Sequence, residues 1–164
     1  MNRYLFVIDY QNDFVDGALG FPGAEKLDAG IAAKVREYGK GHVLFTRDTH
    51  FENYLDTTEG KKLPVPHCIK GTKGWEIADG LYVEGAKIID KPNFGWPHWD
   101  KETFESVELI GLCTDICVVS NALIIKATIP NAQVKVDSAC CAGVTPESHE
   151  AALKTMQMCQ VEVV

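Results

Sequence analysis

Short apolar runs recur along this chain, and most neighbouring runs are separated by a stretch with helical spacing. Tyr4–Asp9 runs through Leu, Phe, Val and Ile to a charge, the pattern of a strand buried on both faces. Apolar residues then fall at Leu27, Ile31, Val35 and Tyr38, a helical spacing, with Gly39 and Gly41 placed to end the helix. His42–Thr46, Lys87–Asp90 and Val107–Leu112 read as further strands. A cap at Thr114 or Asp115 predicts a helix to about Ala127, and Asn131 turns the chain into a strand at Gln133–Val136. Thr145 caps a helix with Pro146 and Glu147 in its first turn and Ala152, Leu153 and Met156 on one face, and Gln160–Val164 closes as a strand. Strands alternating with helices predict an α/β fold: a three-layer αβα arrangement around a mostly parallel, Rossmann-like sheet of about six strands. The length of 164 residues fits one domain over 1–164. The longest irregular stretch, about Thr49–Thr72, is of a length that compact domains reserve for function.

Composition narrows the class. An apolar share of 46% and a charged share of 24% exclude a disordered or collagen-like chain. A net charge of −7 argues against nucleic acid or an anionic membrane surface as partner. Tyr4–Ile8 is far shorter than the roughly 20 apolar residues of a spanning helix, and no export signal follows it. A cytoplasmic location is therefore expected, with the 6 cysteines reduced.

In open parallel sheets chemistry gathers beyond the carboxyl ends of the strands. The residues there are Asp9, Asp48 with His50, Lys91, and the segment Gly111–Cys117. Cys117 falls in the first turn of a helix, where free N–H groups and the helix dipole favour thiolate, whereas Cys113 reads as structural. A carboxylate at Asp9 is placed to accept a proton from a neighbouring thiol, and an ammonium at Lys91 would favour both anions. Asp48-Thr49-His50 sets two ligand types on one side of an extended segment, and His67 follows in the loop. Asp, His and His suit zinc, iron or manganese with positions left open. Each group taken singly also reads as a solvated strand end or a packed side chain.

Two segments carry a specific resemblance. Val7-Ile8-Asp9-Tyr10-Gln11-Asn12-Asp13-Phe14 and Gly111-Leu112-Cys113-Thr114-Asp115-Ile116-Cys117-Val118 resemble the opening and nucleophile signatures of the isochorismatase-like cysteine hydrolases. Thr46-Arg47-Asp48-Thr49-His50 and His67-Cys68-Ile69-Lys70-Gly71-Thr72 are similar to the metal segments of the nicotinamidase branch. The resemblance implies Asp9 as general base, Lys91 as its triad partner and Cys117 as nucleophile. It implies a cis Leu112–Cys113 peptide, with the N–H groups of Cys113 and Cys117 forming an oxyanion hole. It implies one divalent metal, zinc before iron or manganese, on Asp48, His50 and His67. Glu59 is the first candidate for an added carboxylate ligand and Asp56 the second. It further implies a small amide substrate and self-association into a dimer or larger assembly.

These roles make a thioester route to nicotinate and ammonia from nicotinamide, with the metal orienting the pyridine and Phe14, Phe94 and Trp96 as candidate ring walls. Leu63-Pro64-Val65-Pro66 lacks the aromatic many nicotinamidases place before the second metal histidine. Hydrolysis of another small amide or carbamoyl compound on the same triad is thus an alternative. A thiol redox or metal-binding protein without hydrolase activity is a third reading, motivated by Cys113 and Cys117; it gives Asp9 and Lys91 no role. No GxSxG, GxxxxGK[ST] or HExxH motif supports a serine hydrolase, P-loop or zincin reading.

Overall fold

The computed structural model describes residues 2–164. Six strands, β1 (Arg3–Ile8), β2 (Val43–Asp48), β3 (Lys87–Lys91), β4 (Ser106–Leu112), β5 (Gln133–Ala142) and β6 (Glu162–Val163), form one sheet in the order β3-β2-β1-β4-β5-β6. Every pairing is parallel, and the strand order reverses between β1 and β4. Ligands in open sheets bind at such a reversal. The fold is the expected layered α/β arrangement.

The apolar runs divide by alternation. Leu5 and Val7 of β1 face one core, with Ile31 and Val35 of helix α2 (Asp28–Tyr38); helix α1 is the single turn Asn12–Val15. Phe6 and Ile8 face the other core, with Ala122 and Ile125 of α4 (Val119–Thr128) and Leu153 and Met156 of α5 (Pro146–Met158). The Thr145 cap is present as a reciprocal box with Ser148, and the apolar face of α5 is the one the spacing predicts.

Three departures bear on the site. Residues 49–86, between β2 and β3, hold short helical turns, α3 (Thr58–Lys62) and isolated bridges at His50↔Ile69 and Gln11↔Ile77. Coil residues Ala78, Leu81 and Ala86 cover the sheet where a crossover helix is usual. Strand β5 runs on to Ala142, past the expected end at Val136. A bulge shifts the register between Leu109↔Val136 and Gly111↔Cys141, so the extra residues break the alternation that marks a strand. The helix expected to start at a Thr114 or Asp115 cap instead begins as a π-turn, Thr114–Val118, ahead of α4. The Asp115 carboxylate serves the other helix, accepting from Val144 N at 3.1 Å and from Ser148 Oγ at 2.5 Å.

Candidate active site and metal centre

Three elements bring Asp9, Lys91 and Cys117 together. Asp9 stands just past β1 at φ 45°, a backbone conformation uncommon for a non-glycine residue. Lys91 ends β3, and Cys117 lies in the π-turn after β4. β1 and β4 approach closely at Gly111, where φ is 117° and a Cβ would fall 2.1 Å from the Ile8 carbonyl oxygen. Only glycine fits this junction. The Leu112–Cys113 peptide is cis.

Lys91 Nζ lies 2.6 Å from Asp9 Oδ2, both side chains fully buried, and the Cys117 thiol sits beside the same carboxylate. Lys91 also donates to the Asn93 carbonyl at 3.0 Å. Thr46, to which sequence reasoning gave no role, holds Asp9 from the neighbouring strand. Its hydroxyl donates to Asp9 Oδ1 at 2.6 Å and accepts from Asp9 N at 3.1 Å.

Burial raises the Asp9 carboxyl, with the Lys91 ammonium opposing it. Burial also pushes the Cys117 thiol well up, reinforced by the Asp9 charge and only partly opposed by Lys91. Lys91 is raised despite its burial, because Asp9 and the neighbouring anionic groups favour its charge. Desolvation and the nearby carboxylate thus oppose the pull toward thiolate expected at a helix start and favour a protonated Cys117 beside a base. The Cys113 thiol, pushed up to about 12 by burial and by Asp115, is likewise protonated.

The second cluster adjoins the first. One ligand atom each from Asp48, His50, Glu59 and His67 lies within 4.8 Å of the others. His50 Nε2 is 2.9 Å and His67 Nε2 3.4 Å from Asp48 Oδ2, and Glu59 Oε1 is 3.6 Å and 3.7 Å from the same two nitrogens. His67 Nδ1 pairs with the Val65 carbonyl at 2.8 Å, which fixes the proton there and leaves Nε2 free to ligate. Glu59, not Asp56, is the loop carboxylate of this group. Thr57 caps α3 and sets it, while Asp56 is exposed.

The donor set fits a divalent cation. Asp48 Oδ1 is buried without a hydrogen-bond partner among the described residues. Burial raises Glu59 and repulsion from Asp48 raises it further, a conflict a bound cation removes. Asp48 itself, despite its burial, is held well below the usual carboxylate range by His50 and His67.

Polar residues after β1 brace this cluster. Gln11 Oε1 accepts from Asp48 N at 2.7 Å and Gln11 Nε2 donates to the Asp48 carbonyl at 2.9 Å. Asp13 Oδ2 accepts from Cys68 N at 2.7 Å, and Cys68 has φ 48°. Both residues lie in the opening signature, but which partner each reaches is a matter of three dimensions.

An apolar cavity of about 60 Å³ is lined by Cys117 and Cys113 from one cluster's side and by Asp48, Glu59 and His67 from the other. Phe14 and Phe94 line it, as do Leu19, Leu63 and Ile116, which the sequence did not single out. Trp96 does not line it; its ring packs against the α4 side of the core and edge-on to His98. A larger cleft of about 350 Å³ lies at the amino-terminal ends of the strands, beside Tyr4, Val43 and Lys87, remote from these groups.

The parallel α/β sheet gathers an acid, an amine and a thiol at its strand ends, and the family follows from the sequence as a whole. Residues 3–164 match the isochorismatase domain model, and the chain belongs to that family. It is 27% identical to the nicotinamidase/pyrazinamidase of Mycobacterium tuberculosis over 99% of this chain and 98% of that one. Among solved structures, it is similar to the pyrazinamidase of Pyrococcus horikoshii in complex with zinc, with a TM-score of 0.84, 28% identity and coverage of 100% and 99%. The nicotinamidase/pyrazinamidase PncA of Bacillus subtilis aligns with a TM-score of 0.86 and 26% identity over 100% of both chains. Among the described residues, no helix is long and apolar enough to cross a membrane.

Proposed function

We propose that this chain is a metal-dependent cysteine amidohydrolase that converts nicotinamide to nicotinate and ammonia. The observation that carries the reading is the buried Asp9–Lys91 pair with the Cys117 thiol beside it, the thiol lining an apolar cavity that Asp48, Glu59 and His67 of the ligand set also line. The names of its relatives in three organisms support the same substrate class.

Asp9 takes the Cys117 proton, and the sulfur attacks the amide carbonyl carbon. The oxyanion lies toward the N–H groups of Cys113 and Cys117. The C–N bond breaks as Asp9 returns its proton to the departing ammonia, leaving a thioester. Asp9 then takes a proton from water, which attacks the thioester carbonyl. The C–S bond breaks and the sulfur regains its proton. Lys91 keeps its charge throughout and balances the carboxylate and the sulfur. Asp48, His50, His67 and Glu59 would hold a divalent ion, zinc by preference, which when bound would supply a Lewis acid to orient a ring nitrogen. Phe14 and Phe94 offer faces to a flat ring.

The test is ammonia release from a panel of nicotinamide, pyrazinamide and aliphatic amides by zinc-loaded protein. Nicotinamide turnover that vanishes in Cys117→Ala is expected. Turnover that survives this change, or a protein that releases ammonia only from aliphatic amides, sinks the reading.

A further inference from the structure

We propose that Asn121, on α4, is a positioning residue that fixes the Phe94 wall of the cavity against the Cys117 turn. Asn121 is fully buried and uses every polar atom of its amide across two segments. Its Nδ2 donates to the Cys117 carbonyl at 2.8 Å and to the Phe94 carbonyl at 3.1 Å. Its Oδ1 accepts from Trp96 N at 2.8 Å and from Trp99 Nε1 at 3.0 Å. One amide thus joins the nucleophile's own backbone to the loop of residues 94–99.

The side-chain chemistry is selective. The two segments present two carbonyls and two N–H groups, and an amide is a short side chain that both donates twice and accepts. Aspartate would set an oxygen against two carbonyl oxygens, and leucine would remove all four bonds, two of them buried. The sequence offers no sign of this role, since Asn121 sits inside a helix where polar residues usually face solvent.

The loop needs such an anchor. Phe94 lines the cavity but is 40% exposed, so packing alone does not place its ring. Its backbone is held on one side by Asn121, and the preceding Asn93 carbonyl takes the Lys91 ammonium. The ring that would face a bound substrate is therefore referenced to both Lys91 and Cys117. Releasing the Asn121 link loosens the wall while leaving Asp9, Lys91 and the Cys117 thiol in place.

The inference rests on the amidohydrolase reading for its substrate effect but not for its second readout. Asn121→Ser and Asn121→Ala are compared with the unaltered protein. Serine at 121 keeps a hydroxyl in reach of the Cys117 carbonyl, as Ser120 already bonds the Ile116 carbonyl at 2.5 Å, but is too short to hold the loop. For Asn121→Ser, KM for nicotinamide rises about tenfold with kcat within about threefold, the signature of lost ground-state binding. Alkylation of Cys117 by iodoacetamide, followed by mass spectrometry of its peptide, speeds up about fivefold as the wall opens. A purely structural role would lower Tm and move neither number. Unchanged alkylation and KM in folded Asn121→Ser, or a fall in kcat at constant KM, overturns the inference. Should Asn121→Ala not fold, Asn121→Ser decides alone. Should the unaltered protein release no ammonia from nicotinamide, the functional reading fails, and the alkylation rates still decide the role of Asn121.

Discussion

The acid–amine–thiol group and the carboxylate–imidazole group share a wall, yet they are built differently. Asp9, Lys91 and Cys117 come from the ends of β1 and β3 and the turn after β4, so the sheet itself sets their spacing. Asp48 also ends a strand, but His67 and Glu59 lie in residues 49–86, outside the strands of the sheet. His67 is tied in by a short parallel bridge, His50 N donating to the Cys68 carbonyl and Lys70 N to the His50 carbonyl, and by Asp13 on Cys68 N, while Gln11 braces Asp48. A group on sheet ends inherits its geometry from the fold, whereas a group on a loop must be braced one contact at a time.

If the two groups are independent in this way, removing one should spare the other. Asp9→Asn should lower kcat on nicotinamide by about a thousandfold or more, the scale of a lost general base in a unit that acts together. Zinc affinity, measured by competition with a chromogenic chelator, should stay within about threefold; a large loss would show that the groups are one unit. Next in size, Asp13→Ala should weaken zinc binding by about tenfold or more, as outer contacts to ligand segments typically do. The same titration checks it, and unchanged affinity would mean that residues 49–86 hold their shape without Asp13. The smallest effect sharpens the contrast in charge. Because burial and Asp9 raise the Cys117 thiol, its thiolate fraction at neutral pH is low and grows as pH increases. Cys117 alkylation should therefore be slower than that of exposed Cys159 at pH 7 and still be climbing above pH 9. A plateau below pH 8 would mean that the helix end and Lys91 prevail.

The same division explains what could be read from the chain. Strand ends are legible because a buried parallel strand is a continuous apolar run and the residue after it is the first charge. Asp9 stands after such a run, whereas Lys91, which follows Asp90, and the Cys117 segment, past a strand that contains Glu108, are marked by their place beyond the expected strand ends. Asp48, His50 and His67 read as ligand types in a sparse pattern, and Glu59 as a carboxylate in the intervening loop. Thr46 and Asn121 were not found, since a buried hydroxyl or amide inside an element looks like any other small polar residue until its partners are known. Trp96 misled for the opposite reason: an aromatic near Lys91 in sequence suits a ring wall, but its backbone N–H goes to Asn121 and its ring to the core.

The bracing of residues 49–86 limits how portable they are. Gln11 grips Asp48 and the Trp75 carbonyl, Asn12 the Lys73 carbonyl, and Asp13 the Cys68 amide, so the far half of that stretch is moored to a few side chains more than fifty positions upstream. Grafting the stretch into a relative to exchange specificity would transfer its ligands but not its moorings. A chimera that carries 11–13 along with it moves a complete module, and one that omits them moves a slack rope.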